Sequence, residues 1–458
     1  MVGTMAGVMS STVVSVALPA IGERFHLGQG DVQWVNTLFM LAMTVSMLIT
    51  PWLLRRLGYR QTYVLMMWLL MSGGILGGLA QHFGVILFAR LLEGVAAGVI
   101  QPIPAIIVMR AFEPHEQGRA SGVFGMAVVL APALGPSLGG LLIEWLDWRA
   151  IFWMVVPFCA VAIWLAYRLI PSTGPGGIVP DRTVMRMDWM GLLLLTLGVL
   201  CLMSCIVVLR RHSPASSIII LGAACMLLGT FMWQQLRVHR QGGAPLISLS
   251  LFANGPYALG SFVAFVYGFA LYGSTYVLAV FMQTGLKLPA SQVGIVLLPA
   301  GLVLALSIGL AGAMMDKISA NRLIFSGQLL MAISFALMVF IDIGAPLQIL
   351  VFLALAGRLG MGLVAPALNV SAMSGIGKTR IPDAASAINF SRLLGGAIGM
   401  FSLGVALDGS GEQIYALGSQ AALRFNSAFL LLAGLCFAGF IAALRLPSIR
   451  ERQHGTVK

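Results

Sequence analysis

Long apolar segments alternate with short polar breaks along almost the whole chain. A helix that crosses a bilayer needs roughly 20 consecutive apolar residues, because it rises only ~1.5 Å per residue. This pattern predicts fourteen transmembrane helices. The predicted spans are 2–21, 32–54, 62–80, 84–109, 118–143, 150–170, 188–209, 214–236, 257–282, 291–315, 323–343, 347–373, 382–407 and 426–446. We therefore expect an all-α polytopic membrane protein.

The composition supports the same class, since 59% of the residues are hydrophobic and only 9% are charged. Few segments carry the amphipathic stripe of a soluble helix, which disfavours a soluble enzyme. The five cysteines lie in apolar segments at irregular spacings, without partnering histidines. That arrangement argues against a disulfide framework or a zinc site. We expect no metal, no cofactor and no enzymatic activity.

The basic residues indicate how the chain is oriented. With the amino terminus inside, 18 of the 27 Lys and Arg residues fall in cytoplasmic loops, tails or the adjoining span ends, and 6 fall on the outer side. The remaining three are Arg90, Arg358 and Arg392, deep within spans. Cytoplasmic loops carry the excess of Lys and Arg. We expect a multi-pass protein of the inner (plasma) membrane with both termini cytoplasmic. The net charge of +12 then faces anionic lipid, and we expect no nucleic-acid partner.

Four ionisable side chains lie deep inside the apolar segments: Arg90, Glu93, Arg358 and Arg392. A charge at bilayer depth costs several kcal/mol unless it is paired or hydrated, so each is a candidate functional residue. Glu93 is the only acid among them, because every other Asp and Glu falls in or beside a polar break.

The two halves of the chain share part of a pattern. Arg90 in the fourth predicted span precedes Gly94 by four residues, and Arg358 in the twelfth precedes Gly362 by four; a proline follows in both spans. Many secondary transporters are built from such repeats, with the substrate site near the midplane at the repeat interface.

Two segments near the amino terminus carry recognisable motifs. Ser10-Ser-Thr12-Val-Val-Ser15-Val-Ala-Leu-Pro19 is similar to D-x-T-I-V-N-V-A-L-P, and Gln33-Trp34-Val-Asn-Thr37-Leu-Phe39 is similar to Q-W-V-x-T-x-Y. In the fourth span, Arg90-Leu-Leu-Glu93-Gly94 fits R-x-x-Q-G, with Glu93 in place of Gln. Ala131-Pro132-Ala-Leu-Gly135-Pro136-Ser-Leu-Gly139-Gly140 fits the Gly- and Pro-rich antiporter motif.

In this combined order, the motifs resemble the major facilitator superfamily, specifically the fourteen-span drug:proton antiporters of the EmrB/QacA type. The resemblance implies two six-helix halves with two inserted helices. The expected parts are a bundle at 1–170, inserted helices and linkers at 171–256, a second bundle at 257–446 and a tail at 447–458. The implied partners are protons, a small-molecule substrate and the lipid bilayer. A periplasmic adaptor protein is an open alternative, and we expect a monomer.

Two positions depart from the family pattern. Ser10 stands where many relatives carry an aspartate that binds a proton or cation. Arg55 stands at an acidic position of the loop motif after the second span, although Asp316 keeps the acid in the second copy. By the resemblance, the first change removes a group that would couple transport to protons, and the second alters a gate.

Glu93 with Arg90 is the candidate proton-coupling pair, because burial and nearby cations are what shift a carboxyl's proton affinity. The alternative is a permanent ion pair that only neutralises two buried charges. Candidate residues of the substrate cavity are Trp34, Phe39, Tyr267, Tyr272, Phe281, Gln283, Arg358, Asn389 and Arg392. Each of these aromatic and polar side chains has simple packing or helix anchoring as its alternative role.

A third group of candidates belongs to gates and to the antiporter motif. These residues are Arg56, Gly58, Pro132, Gly135, Pro136, Gly139, Asp316 and Lys317. Charges at cytoplasmic span ends can lock one face closed by pairing between halves, or can simply be solvated. The glycines and prolines allow helices to approach closely and to bend.

The leading functional hypothesis is proton-coupled export of hydrophobic or amphipathic compounds, that is, multidrug efflux by alternating access. The chain has no Walker A motif, so uphill transport would draw on an ion gradient. Proton-coupled export of one specific metabolite, such as a natural product, siderophore or lipid, is the main alternative. A membrane enzyme or a non-transporting sensor is disfavoured, because no second catalytic group accompanies Glu93.

Overall fold

The structure is a computed structural model that describes residues 1–170, 187–209, 214–243, 245–341, 346–407 and 418–446. Every regular element in these ranges is helical, which confirms the all-α prediction. The α-helices are α1 (Val2–Phe25), α2 (Gln29–Val32), α3 (Trp34–Ser46), α4 (Thr50–Leu57), α5 (Tyr59–Gly78), α6 (Phe83–Ile100), α7 (Ile103–Ala111), α8 (Gln117–Trp145), α9 (Ala150–Leu169), α10 (Trp189–Leu209), α11 (Pro214–Arg240), α12 (Gly255–Val280), α13 (Ala290–Met314), α14 (Ala320–Met338), α15 (Leu347–Met373), α16 (Ile381–Leu407) and α17 (Gly418–Leu444).

Ten helical segments of the described chain are long and apolar enough to cross a membrane. They support a multi-pass membrane protein. The remaining predicted spans coincide with four other helices, α5, α8, α10 and α16. The count of fourteen spans stays a prediction.

Two predicted spans are interrupted at or near a proline. Proline has no N–H and its ring clashes with the preceding turn, so it can end a helix or begin one. Pro102 separates α6 from α7, and its carbonyl accepts the first hydrogen bond of α7 from the Ile106 N–H at 3.1 Å. Pro51 lies in the first turn of α4, after the short 3₁₀ turn Met47–Ile49. Pro366, in contrast, lies inside the continuous helix α15.

The chain divides into two compact units, and the first contains Met1–Ala111, Leu130–Leu249 and Lys378–Phe390. In it, α5 packs between α6 and α9, and α3 packs on α6. Glycines on α5 bring these helices close together. A Cβ at Gly74 would lie 2.9 Å from the Phe152 carbonyl oxygen of α9.

An acid at the start of α10 holds α10 against α11 in the first unit. The Asp188 carboxylate accepts hydrogen bonds from the Gly191 N–H at 2.8 Å, from Gln234 at 2.8 Å and from Gln235 at 2.6 Å. Because Gly191 lies in the first turn of α10, Asp188 acts as a helix cap as well as a cross-link.

The second unit contains Phe112–Val129, Ser250–Gly377 and Ser391–Lys458. In it, α14 packs on α15 and α17, α13 packs on α15, and α12 packs on α17. Small residues again set the closest contacts, as is common between membrane helices. A Cβ at Gly327 of α14 would lie 2.5 Å from the Gly360 carbonyl oxygen of α15.

Candidate transport site

An ion pair between Arg90 and Glu93 lies in the middle of α6, inside the first unit. Arg90 Nη1 donates to Glu93 Oε2 at 2.6 Å, across one helical turn. Both side chains are fully buried, at 0% exposure. The structure therefore places the one acid that lies deep inside a predicted span in direct contact with a cation.

Ser10 of α1 joins the two charges. Its hydroxyl donates to Glu93 Oε2 at 3.0 Å and accepts from Arg90 Nη1 at 2.8 Å, while its carbonyl oxygen accepts from the same nitrogen at 3.2 Å. The position at which the resembled motif has an aspartate thus contacts this site through a neutral hydroxyl group. From the sequence, Ser10 was identified only as the residue that replaces an aspartate, and its hydrogen bond to Glu93 was not predicted.

Helix α3 supplies the remaining contacts of Arg90. The guanidinium carbon lies 4.1 Å from the centroid of the Phe39 ring, which is cation–π geometry. Arg90 Nε donates to the Val35 carbonyl oxygen at 3.3 Å. Arg90 is therefore held by three helices, and it keeps hydrogen-bond acceptors besides Glu93.

Two glycines make the site sterically possible. A Cβ at Gly73 of α5 would lie 2.6 Å from Glu93 Cγ. A Cβ at Gly94 of α6 would lie 2.5 Å from the Phe39 carbonyl oxygen and 2.8 Å from Ala42 Cβ. Larger residues at either position would push α5 or α3 away and open the cluster.

One oxygen and one nitrogen of the pair have no partner. Glu93 Oε1 and Arg90 Nη2 are buried without a hydrogen bond to any described residue. A buried polar atom without a partner carries a free-energy cost, so it marks a place where a proton, a water molecule or a rearrangement is accommodated. Glu93 can accept a proton at Oε1 while Oε2 keeps its contact with Ser10.

The other cavity candidates fall into three groups. Phe281 packs edge-to-face on Phe425, with ring centroids 4.9 Å apart, and belongs to the aromatic core of the second unit. Trp34 at the start of α3 and Tyr272 on α12 are partly buried, and Gln283 is exposed in the π-helical turn Phe281–Gly285.

The polar candidates in later helices lie in different units. Asn389 is buried in the first unit and donates to the Ala385 carbonyl oxygen at 2.8 Å. Arg358 and Arg392 belong to the second unit, where both interact electrostatically with the buried Tyr267. The structure thus brings Arg358, Arg392 and Tyr267 together.

Among the gate candidates, Gly58 adopts φ 80° and joins α4 to α5, a backbone conformation that favours glycine. Arg56 lies over the Trp52 ring at 5.0 Å. Asp316 and Lys317 are exposed at the end of α13.

The antiporter motif lies in α8. A Cβ at Gly135 would lie 2.6 Å from Thr12 Oγ1, and one at Gly139 would lie 2.7 Å from Val13 Cγ1, so the motif glycines face α1. Pro132 and Pro136 belong to the same helix, but their side chains lie outside the described residues.

An ion pair that the sequence did not predict joins Arg55 at the end of α4 to Asp383 at the start of α16. Arg55 donates to both carboxylate oxygens, at 2.9 and 3.1 Å. Arg55 was singled out only because it replaces an acid. The reversed charge was the available signal, since a basic residue at this position calls for an acidic partner elsewhere.

The chain is similar to known transporters over most of its length. The sequence profile of the Major Facilitator Superfamily matches residues 1–400. Over 402 residues the chain is 27% identical to the multidrug resistance protein Stp of Mycobacterium tuberculosis, covering 87% of this chain and 73% of that protein. It is 24% identical over 445 residues to the riboflavin transporter RibZ of Clostridioides difficile, covering 96% and 94%.

The fold is shared with solved structures at lower sequence identity. The human organic anion transporter MFSD10 superimposes with a TM-score of 0.69 at 18% identity, covering 96% of this chain and 97% of that chain. The relatives and structural neighbours are transporters, which confirms the prediction that the chain is not an enzyme. The chain belongs to the Major Facilitator Superfamily.

Proposed function

We propose that this protein is a proton-coupled exporter of hydrophobic or amphipathic compounds, with Glu93 as the group that carries the proton. The observation that carries the proposal is the fully buried Arg90–Glu93–Ser10 cluster, in which Glu93 Oε1 has no described partner. The similarity to Stp, which is named a multidrug resistance protein, supports a broad apolar substrate range.

Protonation changes the charge of the cluster without removing all its contacts. When Glu93 is ionised, its charge is balanced by Arg90 at 2.6 Å. When Glu93 is protonated, Arg90 keeps the Ser10 carbonyl oxygen, the Val35 carbonyl oxygen and the Phe39 ring. Because these contacts come from α1 and α3, a proton on Glu93 alters the force between α6 and two neighbouring helices. Such a coupling can bias one conformation over the other.

Related antiporters that carry aspartate at the position of Ser10 would place the coupling carboxyl on α1. In this chain the carboxyl is on α6, and the α1 residue is its hydrogen-bond partner. We propose that the coupling carboxyl occupies the same site in both cases, and that α6 supplies it here in place of α1. The further proposals of fourteen spans, cytoplasmic termini and an inner-membrane location rest on the apolar pattern and on the distribution of Lys and Arg.

Purified protein reconstituted in liposomes tests the proposal. The assay compares transport of a panel of hydrophobic compounds driven by an imposed pH gradient with exchange of the same compounds without a gradient. Glu93→Gln should abolish pH-driven transport and retain gradient-free exchange, because the amide keeps the size and hydrogen bonds of the carboxyl but cannot titrate. Glu144→Gln, at an exposed acid, is the matched control and should behave as wild type.

A second variant tests the relocated carboxyl. Ser10→Asp combined with Glu93→Gln should restore pH-driven transport at least in part, because it returns a titratable group to the same cluster. Full pH-driven transport by Glu93→Gln alone would refute the assignment of the proton to Glu93.

Export of one specific metabolite by the same mechanism is the second candidate. The similarity to RibZ, which is named a riboflavin transporter, favours it. The same panel separates the two candidates, because a specific exporter transports one compound class and a multidrug exporter transports several.

A further inference from the structure

Arg358 is the counterpart of Arg90 in the second half of the chain, and its surroundings differ in one decisive position. The residue one helical turn after Arg90 is Glu93, an anion. The residue one helical turn after Arg358 is Met361, whose sulfur accepts from Arg358 Nη1 at 3.5 Å. A thioether is a weak acceptor without charge, so it does not neutralise the guanidinium.

Arg358 has no anionic partner elsewhere in the described chain. Its Nη2 donates at 2.6 Å to the hydroxyl of Thr275 on α12, and that hydroxyl donates in turn to the Leu271 carbonyl oxygen. No described carboxylate lies within ion-pair distance of Arg358. The side chain is nevertheless buried, with 7% exposure. A buried cation at membrane depth costs several kcal/mol without a counterion. Within the part of the chain that the structure describes, Arg358 therefore lacks a countercharge.

Besides Met361, the described side chains that interact with Arg358 carry hydroxyl groups, and a second arginine lies near one of them. Tyr267 of α12 interacts electrostatically with both Arg358 and Arg392, and Tyr272 interacts with Arg392. A Cβ at Gly268 would collide with the Arg392 carbonyl group, so α12 and α16 are in direct backbone contact here. Two arginines and the hydroxyl groups of α12 form an electropositive cluster.

The cluster is open on one side. Thr275 is exposed although its hydroxyl contacts the buried Arg358, and Tyr272 is partly exposed on the same helix. Thr275 therefore marks the side from which we expect a molecule to approach the guanidinium. Met361 adds a polarisable surface that adapts to apolar groups of varied shape.

We propose that Arg358, Tyr267 and Arg392 bind the acidic group of an anionic amphipathic substrate, such as an aryl carboxylate or sulfonate, and that Thr275 orients Arg358. The planar guanidinium donates two parallel hydrogen bonds to such a group, and the Tyr267 hydroxyl is a further donor. The Thr275 hydroxyl accepts from Arg358 and donates to the Leu271 carbonyl oxygen at 2.6 Å, so it positions the guanidinium and does not donate to the substrate. This inference rests on the proposed export function and names its substrate class. The substrate supplies to Arg358 the charge that Glu93 supplies to Arg90.

Binding to purified protein in lipid nanodiscs, at one pH and without any gradient, tests the inference. The three probes share one aromatic body and differ in charge: naphthalene-1-sulfonate, 1-naphthalenemethanol and 1-naphthylmethylammonium. Wild-type protein should bind the sulfonate at least about tenfold more tightly than the other two, a difference of about 1.4 kcal/mol. Equal or tighter binding of the ammonium probe would overturn the inference.

Met361→Glu tests the role of the missing charge, because it reproduces the Arg90–Glu93 spacing at Arg358. It should weaken sulfonate binding relative to binding of the neutral alcohol by about tenfold or more, corresponding to about 1.4 kcal/mol. Met361→Gln is the matched neutral control and should keep the wild-type preference for the sulfonate over the alcohol, because it removes the same thioether but adds no charge. Wild-type sulfonate affinity in a folded Met361→Glu protein would contradict the inference. If that variant does not fold, Arg358→Gln decides the question, since it should lose the preference for the sulfonate.

The test is independent of proton coupling. Glu93→Gln should keep the preference for the sulfonate, because Glu93 lies in the first unit and Arg358 in the second. Loss of coupling with retained preference supports both proposals. If pH-driven transport depends on Glu93 but the protein does not prefer the sulfonate, only the anion site is refuted. If the protein prefers the sulfonate but pH-driven transport does not depend on Glu93, only the assignment of the proton to Glu93 is refuted.

Discussion

Replacing Glu93 by leucine should strongly destabilise the protein, because it leaves Arg90 as an unbalanced charge. Arg90 would lose its 2.6 Å contact with Glu93 Oε2 and would remain at 0% exposure. Removing one partner of a buried ion pair typically costs about 3–5 kcal/mol. The remaining contacts with Ser10 and the Val35 carbonyl oxygen are hydrogen bonds without a countercharge.

The double variant Arg90→Met with Glu93→Leu should recover most of that loss. Replacing both members of a buried pair by apolar residues of similar volume is often neutral or stabilising. The free energy of unfolding, measured by equilibrium denaturation in detergent micelles, checks both expectations. Leu91→Ala, at a partly exposed position of the same helix, is the control and should change stability little.

These two variants also separate a structural ion pair from a coupling group. The folded double variant should retain gradient-free exchange and lack pH-driven transport, since it has no titratable group at the site. A free energy of unfolding for Glu93→Leu within about 1 kcal/mol of the wild-type value would refute the reasoning. A cost so far below that of a broken buried ion pair would mean that water reaches the site.

Three other predictions concern gates, packing and topology. Arg55→Asp should slow conformational exchange, and adding Asp383→Arg should restore it, as measured by transport rates; an unchanged rate in the single variant would exclude a gating role. Gly122→Val should lower thermal stability, because a Cβ there would lie 2.6 Å from the Gly312 Cα; a melting temperature equal to that of wild type would show that α8 and α13 are loosely packed. A cysteine placed in the loop 144–149 should react with an impermeant thiol reagent from outside the cell, and labelling only from the cytoplasm would overturn the topology.

The apolar pattern predicts the helices well because membrane helices must satisfy their backbone within a single segment. It does not predict where prolines break them. Pro102 separates two helices, whereas Pro366 stands inside one, although both follow a buried arginine in apolar surroundings. Whether a helix continues through proline depends on how neighbouring groups satisfy the backbone, which local sequence does not contain.

The candidate site could be located from the sequence because charges within apolar segments are so few. Its geometry could not be predicted, because the partners of Arg90 come from other helices. Ser10 is 80 residues away and Val35 is 55 residues away along the chain. The members of the pair Arg55–Asp383 are 328 residues apart along the chain, and this pair shows the same limit. One-dimensional spacing reveals contacts within a helix, such as Arg90–Glu93, and not the crossing of helices.

The most direct test of the central claim is infrared difference spectroscopy of the reconstituted protein, which observes the protonated carboxyl group itself. Acidification of wild-type protein should produce a carboxylic-acid C=O band that shifts in deuterated water and decreases when substrate is added. The same band should be absent in Glu93→Gln. A carboxylic-acid band that persists unchanged in Glu93→Gln, with the same response to substrate, would contradict the claim that Glu93 carries the coupled proton.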